Sequence, residues 1–171
     1  MSDALAANRP VHDAANVDTE QYLTFQLAEQ EYGIDILRVQ EIKGWDKPTR
    51  IPRSPPHVLG VINLRGAVVP VIDLRTRFGL EPPVYGTTTV VIVVRVQSEE
   101  RELTAGIVVD AVCEVCNVTQ QELHPPPDVA GGLDQDFVKG LAMVDERMLI
   151  LLHVDRLINA SLLGRAAAQV A

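Results

Sequence analysis

Residues 60–75, Gly-Val-Ile-Asn-Leu-Arg-Gly-Ala-Val-Val-Pro-Val-Ile-Asp-Leu-Arg, align without a gap against residues 140–155, Gly-Leu-Ala-Met-Val-Asp-Glu-Arg-Met-Leu-Ile-Leu-Leu-His-Val-Asp. Each reads as glycine, apolar strand, polar turn, apolar strand. In the first copy Arg65-Gly66-Ala67 separates the two strands, and glycine permits the positive φ of a tight hairpin turn. Arg65 is therefore expected at a hairpin tip. A chain that repeats such a unit is expected to form two similar small β-units packed together, although two similar hairpins in one all-β core give the same pattern.

The remaining segments are also short and apolar. Tyr22 to Leu27 alternates apolar with polar, and Ala28-Glu29-Gln30 turns the chain into Tyr32-Gly-Ile-Asp-Ile, which predicts a hairpin. Leu37 to Ile42 suits either a helical turn or a bent strand. Four prolines between 48 and 56 exclude regular structure before His57, and Pro55 to Gly60 reads as one helical turn that the glycine stops. Thr87 to Val96, Glu102 to Val112 and Met148 to Val154 read as strands, and Val154 to Ala168 as the helix. Residues 1–19 lack the basic start and apolar stretch of a secretory signal and are expected to be a disordered tail.

Charge narrows the choice of partner. The net charge of −8 opposes a polyphosphate, so nucleic acid is not expected. Residues 38–77, however, hold eight bases against three acids, while the remainder of the chain is strongly acidic. That segment suits an acidic protein partner, or else is a chance cluster of solvated charges. The apolar runs fall short of the roughly 20 residues a membrane helix needs, so no membrane insertion is expected.

Chemistry is sparse. There is no nucleophile elbow around any of the four serines and no phosphate-cradling glycine loop, and His12, His57, His124 and His153 form no metal set. Cys113-Glu-Val-Cys116 has the spacing used for thiol exchange or zinc. Its surroundings read as strand, where positions three apart face opposite sides, and no second cysteine pair exists. Small apolar packing residues are the simpler reading. Two cysteines suit a reducing compartment.

Glu31-Tyr-Gly-Ile-Asp-Ile-Leu-Arg-Val-Gln-Glu-Ile42, the stretch 60–75 with its N-L-R-G-x-x-x-P-x-x-D-L-R pattern, and Gly106-Ile-Val-Val-Asp-Ala-Val112 closely resemble the CheW family. With Gly140-Leu and Met148-Leu-Ile-Leu the resemblance covers residues 20–158, leaving 159–171 as a C-terminal helix or tail. It implies an all-β fold of two intertwined five-stranded SH3-like barrels, with no cofactor and no active site. It further implies a cytoplasmic, non-catalytic adaptor that links the cytoplasmic tip of chemoreceptors to the regulatory domain of the histidine kinase CheA. The same adaptor in a non-flagellar pathway is the alternative, and a thiol redox or zinc protein using Cys113 and Cys116 is the alternative from another class. Carried over by motif, Val39, Glu41, Gly60, Asn63, Arg65 and Val68 would face the receptor. Ile42, Gly44, Trp45 and Val90 would face the kinase, although Trp45 also suits core packing and Arg65 a solvated turn.

Overall fold

The computed structural model describes residues 19–81, 85–99, 101–126 and 137–164, so residues 1–18 of the expected N-terminal tail and the far end of the C-terminal helix lie outside the described residues, while Thr19, expected in the tail, opens the first strand. Among the described residues, eleven strands form two sheets. The central sheet is built from β3 (Val39–Gly44), β4 (Val58–Leu64), β5 (Ala67–Asp73), β6 (Val90–Gln97) and β7 (Glu102–Val109), in the order β3-β6-β7-β5-β4. The flanking sheet joins β1 (Thr19–Leu27) and β2 (Gln30–Asp35) to β8 (Ala111–Thr119), β9 (Leu123–His124), β10 (Val138–Val144) and β11 (Arg147–Leu152), in the order β8-β1-β2-β11-β10-β9. The first two and the last four of the described strands share one sheet and the five between them build the other, which is how the two come to be intertwined. Among the described residues the flanking sheet has six strands, the last in its order being the two-residue β9.

The repeat is a structural duplication. Hairpin β4–β5 slips register beside Gly60 and turns through Arg65 (φ 52) and Gly66 (φ 88); hairpin β10–β11 slips beside Gly140 and turns through Asp145 (φ 50) and Glu146 (φ 65). Each second strand pairs in parallel with a strand distant in sequence, β5 with β7 and β11 with β2. Each then enters a short helix, α1 (Leu74–Arg77) or α2 (Val154–Asn159).

Alternation along the strands fills three apolar clusters. Tyr22, Cys116, Val118, Ala142, Leu149 and Leu151 fill the flanking sheet. Leu64, Val69, Val71, Val91, Val93 and Val108 fill the central one. The opposite faces of β1, β2, β6 and β7 meet in a shared core through Leu23, Phe25, Leu27, Ile34, Ile92, Val94, Ile107 and Val109, closed by Leu74, Leu157 and Ile158 of the helices.

Four local expectations are corrected. Pro55 to Gly60 is not a helical turn: Val58 N–H donates to Pro55 O in a reverse turn, β4 begins at Val58, and Gly60 lies within it. The strand expected over 87–96 begins only at Val90. The strand expected over 102–112 breaks at Asp110, whose carboxylate is held by other elements, and β8 starts anew at Ala111. The C-terminal helix is α-helical only to Asn159 and widens into a π-turn over Ala160–Gly164. The ambiguous 37–42 segment takes both forms, a 3-10 turn at Ile36–Arg38 followed by β3.

Candidate docking surface

The candidate residues gather around β3 and the β4–β5 hairpin. β3 is an edge strand, hydrogen-bonded to β6 alone, and a bulge between Val39 and Glu41 twists it. Just beyond it the chain crosses to the other edge of the same sheet, where Thr49 and Val61 exchange backbone bonds of 2.9 and 2.8 Å and close the barrel. This closure explains Gly60. The residue sits at φ +146, and a Cβ there would lie 2.0 Å from the Thr49 carbonyl oxygen. Gly60 is buried, so its place in the surface is to let β4 and the 45–49 segment meet.

Barrel closure carries the hairpin tip over β3. Arg65 Nη1 stands 2.7 Å from Glu41 Oε2, with the arginine side chain 72% exposed and the glutamate 24%. That oxygen is shut off from solvent and no N–H points along it, so the contact is a charge pair rather than an aligned hydrogen bond. Pairs of this exposure contribute about 0–1 kcal/mol, and Arg65 is readily diverted to another acceptor. Asn63 Oδ1 accepts from Gly66 N–H at 2.8 Å and so shapes the tip, while its register partner Val68 is 71% exposed. Glu41, Asn63, Arg65 and Val68 thus form one exposed or half-buried surface seated on Gly60, whereas the bulge sets Val39 on the other face of β3, half-buried against the shared core.

Leu37, 78% exposed in the 3-10 turn before Val39, is an apolar neighbour that the sequence did not single out. Its signal was the turn itself. Asp35 caps the turn by accepting from Leu37 N–H, and that turns Leu37 outward.

Ile42 (44% exposed) follows Glu41 on β3 and so projects from the opposite face. Gly44 and Val90 are direct register partners across β3 and β6. Trp45 is half-buried, packs against the central cluster, and stacks on Tyr85 at 3.9 Å and 13°. Tyr85 in turn donates to the buried Asp73, and burial together with that carboxylate pushes its phenol well above the ordinary range. Trp45 therefore takes the core-packing place, on the face of the central sheet opposite Ile42.

The cysteines do not alternate simply. A bulge in β8 opposite Leu23 and Phe25 breaks the expected two-sided arrangement, and both thiols feel Glu31, Glu114 and Arg147. Cys113 is exposed and Cys116 buried. Burial, reinforced by Glu114, pushes the Cys116 thiol up to about 11, and burial and Glu31 raise Cys113. Thiol exchange and metal ligation both want a thiolate, which is the opposite tendency. Among the described residues no cluster of His, Cys, Asp and Glu is arranged to hold a metal. His153 stands before α2 without a side-chain cap, and burial holds its imidazole below the usual range.

The comparisons agree with this architecture. A family model described as the CheW-like domain matches residues 21–162. The chain is 43% identical over 141 residues to a chemotaxis protein CheW of Klebsiella aerogenes, covering 82% of each. It is 37% identical over 144 residues to a probable chemotaxis protein CheW of Rhizobium etli, covering 84% of this chain and 90% of that one. The crystal structure of the scaffolding protein TtCheW from Thermoanaerobacter tengcongensis superimposes with a TM-score of 0.74 at 37% identity, over 81% of this chain and 91% of that one. No helix among the described residues is long and apolar enough to cross a membrane. From its duplicated hairpins, its sheet order and these matches, the chain belongs to the CheW family.

Proposed function

We propose that this protein is a non-catalytic cytoplasmic adaptor of chemotaxis signalling that holds the tip of a chemoreceptor and the regulatory domain of the kinase CheA at once. The observation that carries the reading is β3, a single edge strand with a different surface on each side. One side joins Glu41 to the Arg65–Val68 hairpin; the other, where Val39 packs on the shared core beyond the bulge, presents Ile42 beside Gly44 and Val90. The first combines apolar contacts with a loosely held arginine, which suits the apolar and acidic ridge of a helical bundle. The second is apolar and strand-edged, which suits another β-domain. No cofactor takes part in either.

Pull-down with a receptor signalling fragment and with CheA tests the assignment. Arg65→Glu should abolish receptor capture, keep CheA binding, and leave the far-ultraviolet circular dichroism and melting temperature nearly unchanged. Ile42→Asp should show the reverse. Undiminished receptor capture by Arg65→Glu would overturn the site.

A further inference from the structure

The duplication extends to a pair of ion-pair clasps at the seam between the sheets, with their charges inverted. In the gapless repeat Arg75 of α1 corresponds to Asp155 of α2. Arg75 donates from Nε and Nη2 to both oxygens of Asp110, each at 2.8 Å, and Asp110 Oδ2 also accepts from Ala28 N–H at 2.8 Å. Asp110 sits on the crossover from β7 to β8, and Ala28 in the β1–β2 turn. The first clasp thus ties the helix of the central sheet to a crossover and to a turn of the flanking sheet.

The second clasp repeats that plan with the sheets exchanged. Asp155 Oδ2 accepts from Arg38 at 2.6 Å, and its Oδ1 accepts from Gln97 N–H at 2.8 Å. Asn159 adds a bond of 3.0 Å to Gln97 O. Arg38 lies on the crossover from β2 to β3, and Gln97 ends β6. The side chains of both pairs are only 20–31% exposed, so they are better shielded than the Arg65–Glu41 contact. Their polarity also assigns the crossovers. With the two crossovers exchanged, Arg38 would face Arg75 and Asp110 would face Asp155, like charge on like.

We propose that the two clasps lock the sheets at one fixed angle, so that a displacement received by one sheet is carried to the other instead of being absorbed at the seam. The lock stands whatever docks on β3. Spin labels on exposed strand positions of the two sheets, Arg95→Cys in β6 and Asn117→Cys in β8, read the angle as a distance distribution. The background is Cys113→Ser, with the buried Cys116 retained.

The parent should give one narrow distribution. Asp110→Asn combined with Asp155→Asn should at least double its width with the circular dichroism unchanged. If that pair does not fold, Arg38→Gln and Arg75→Gln examined singly should each broaden it. Lys139→Gln, which removes the Lys139–Glu20 pair inside the flanking sheet, is the control and should leave the width as it was. An unchanged width in the clasp variants, or equal broadening by the control, overturns the proposal.

Discussion

At the scale of single residues, Gly60 and Gly140 occupy matching places in the repeat but are under different constraints. A Cβ on Gly60 would strike the Thr49 carbonyl carbon at 2.6 Å as well as its oxygen at 2.0 Å, and φ there is positive. A Cβ on Gly140 would meet His124 O at 2.6 Å and the pliable Leu123 side chain at 2.8 Å. Backbone strain and overpacking each cost about 1–3 kcal/mol, and Gly60→Ala incurs both. Gly60→Ala should therefore lower stability by roughly 3 kcal/mol or more, and Gly140→Ala by less. Equal denaturation midpoints for the two variants would show that barrel closure at Thr49 is not what demands the glycine. A binding defect in Gly60→Ala would also have to be separated from this loss of stability, unlike one in the exposed Arg65.

At the scale of elements, the clasp between α1 and the β7–β8 crossover sets an acid limb of stability. Partial burial raises the Asp110 carboxyl pKa, but the Arg75 guanidinium and the Ala28 N–H outweigh it and leave the group below its ordinary 3.8. Its contribution is complete above that value and is lost as pH falls through the lower, folded-state pKa. Asp110→Asn should reduce neutral-pH stability on the order of 1 kcal/mol and flatten the decline of the urea midpoint between about pH 4 and 2. Parallel acid limbs in parent and variant would refute this. The carboxyl of Glu114, also lowered, chiefly by Arg147, should keep part of the slope in both.

The same crossover shows where sequence legibility ends. Hairpin tips were readable because Arg65-Gly66 and the glycine-led repeat encode local φ and alternation. The break at Asp110 was not, because one aspartate between the apolar stretches 105–109 and 111–112 does not by itself end a strand, and the partner that holds its carboxylate, Arg75, is 35 residues away. Likewise the reach of Arg65 to Glu41 follows from barrel closure, and no pattern in either segment announces it. Leu37 was missed for a related reason. An isolated exposed leucine is visible only once its capped turn is known.

At the scale of the whole molecule, the interleaved chain decides how it unfolds. The shared core draws Phe25, Leu27 and Ile34 from the flanking sheet and Ile92, Val94 and Ile107 from the central one, all at most 1% exposed. Neither sheet can be removed without uncovering the other's buried face, and the two crossovers prevent either from leaving as a contiguous segment. Two natural probes report the halves separately. Trp45, the single tryptophan, packs on the central cluster, while the Cys116 thiol is buried in the flanking one. Tryptophan fluorescence and Cys116 labelling by a thiol reagent, in a Cys113→Ser background, should therefore follow one urea transition with a common midpoint and slope, as a two-state unit requires. If fluorescence changed at lower urea than labelling, the central sheet would be opening while the flanking one persisted. The shared core would then be too weak to couple them, and the molecule would behave as two joined domains instead of one body.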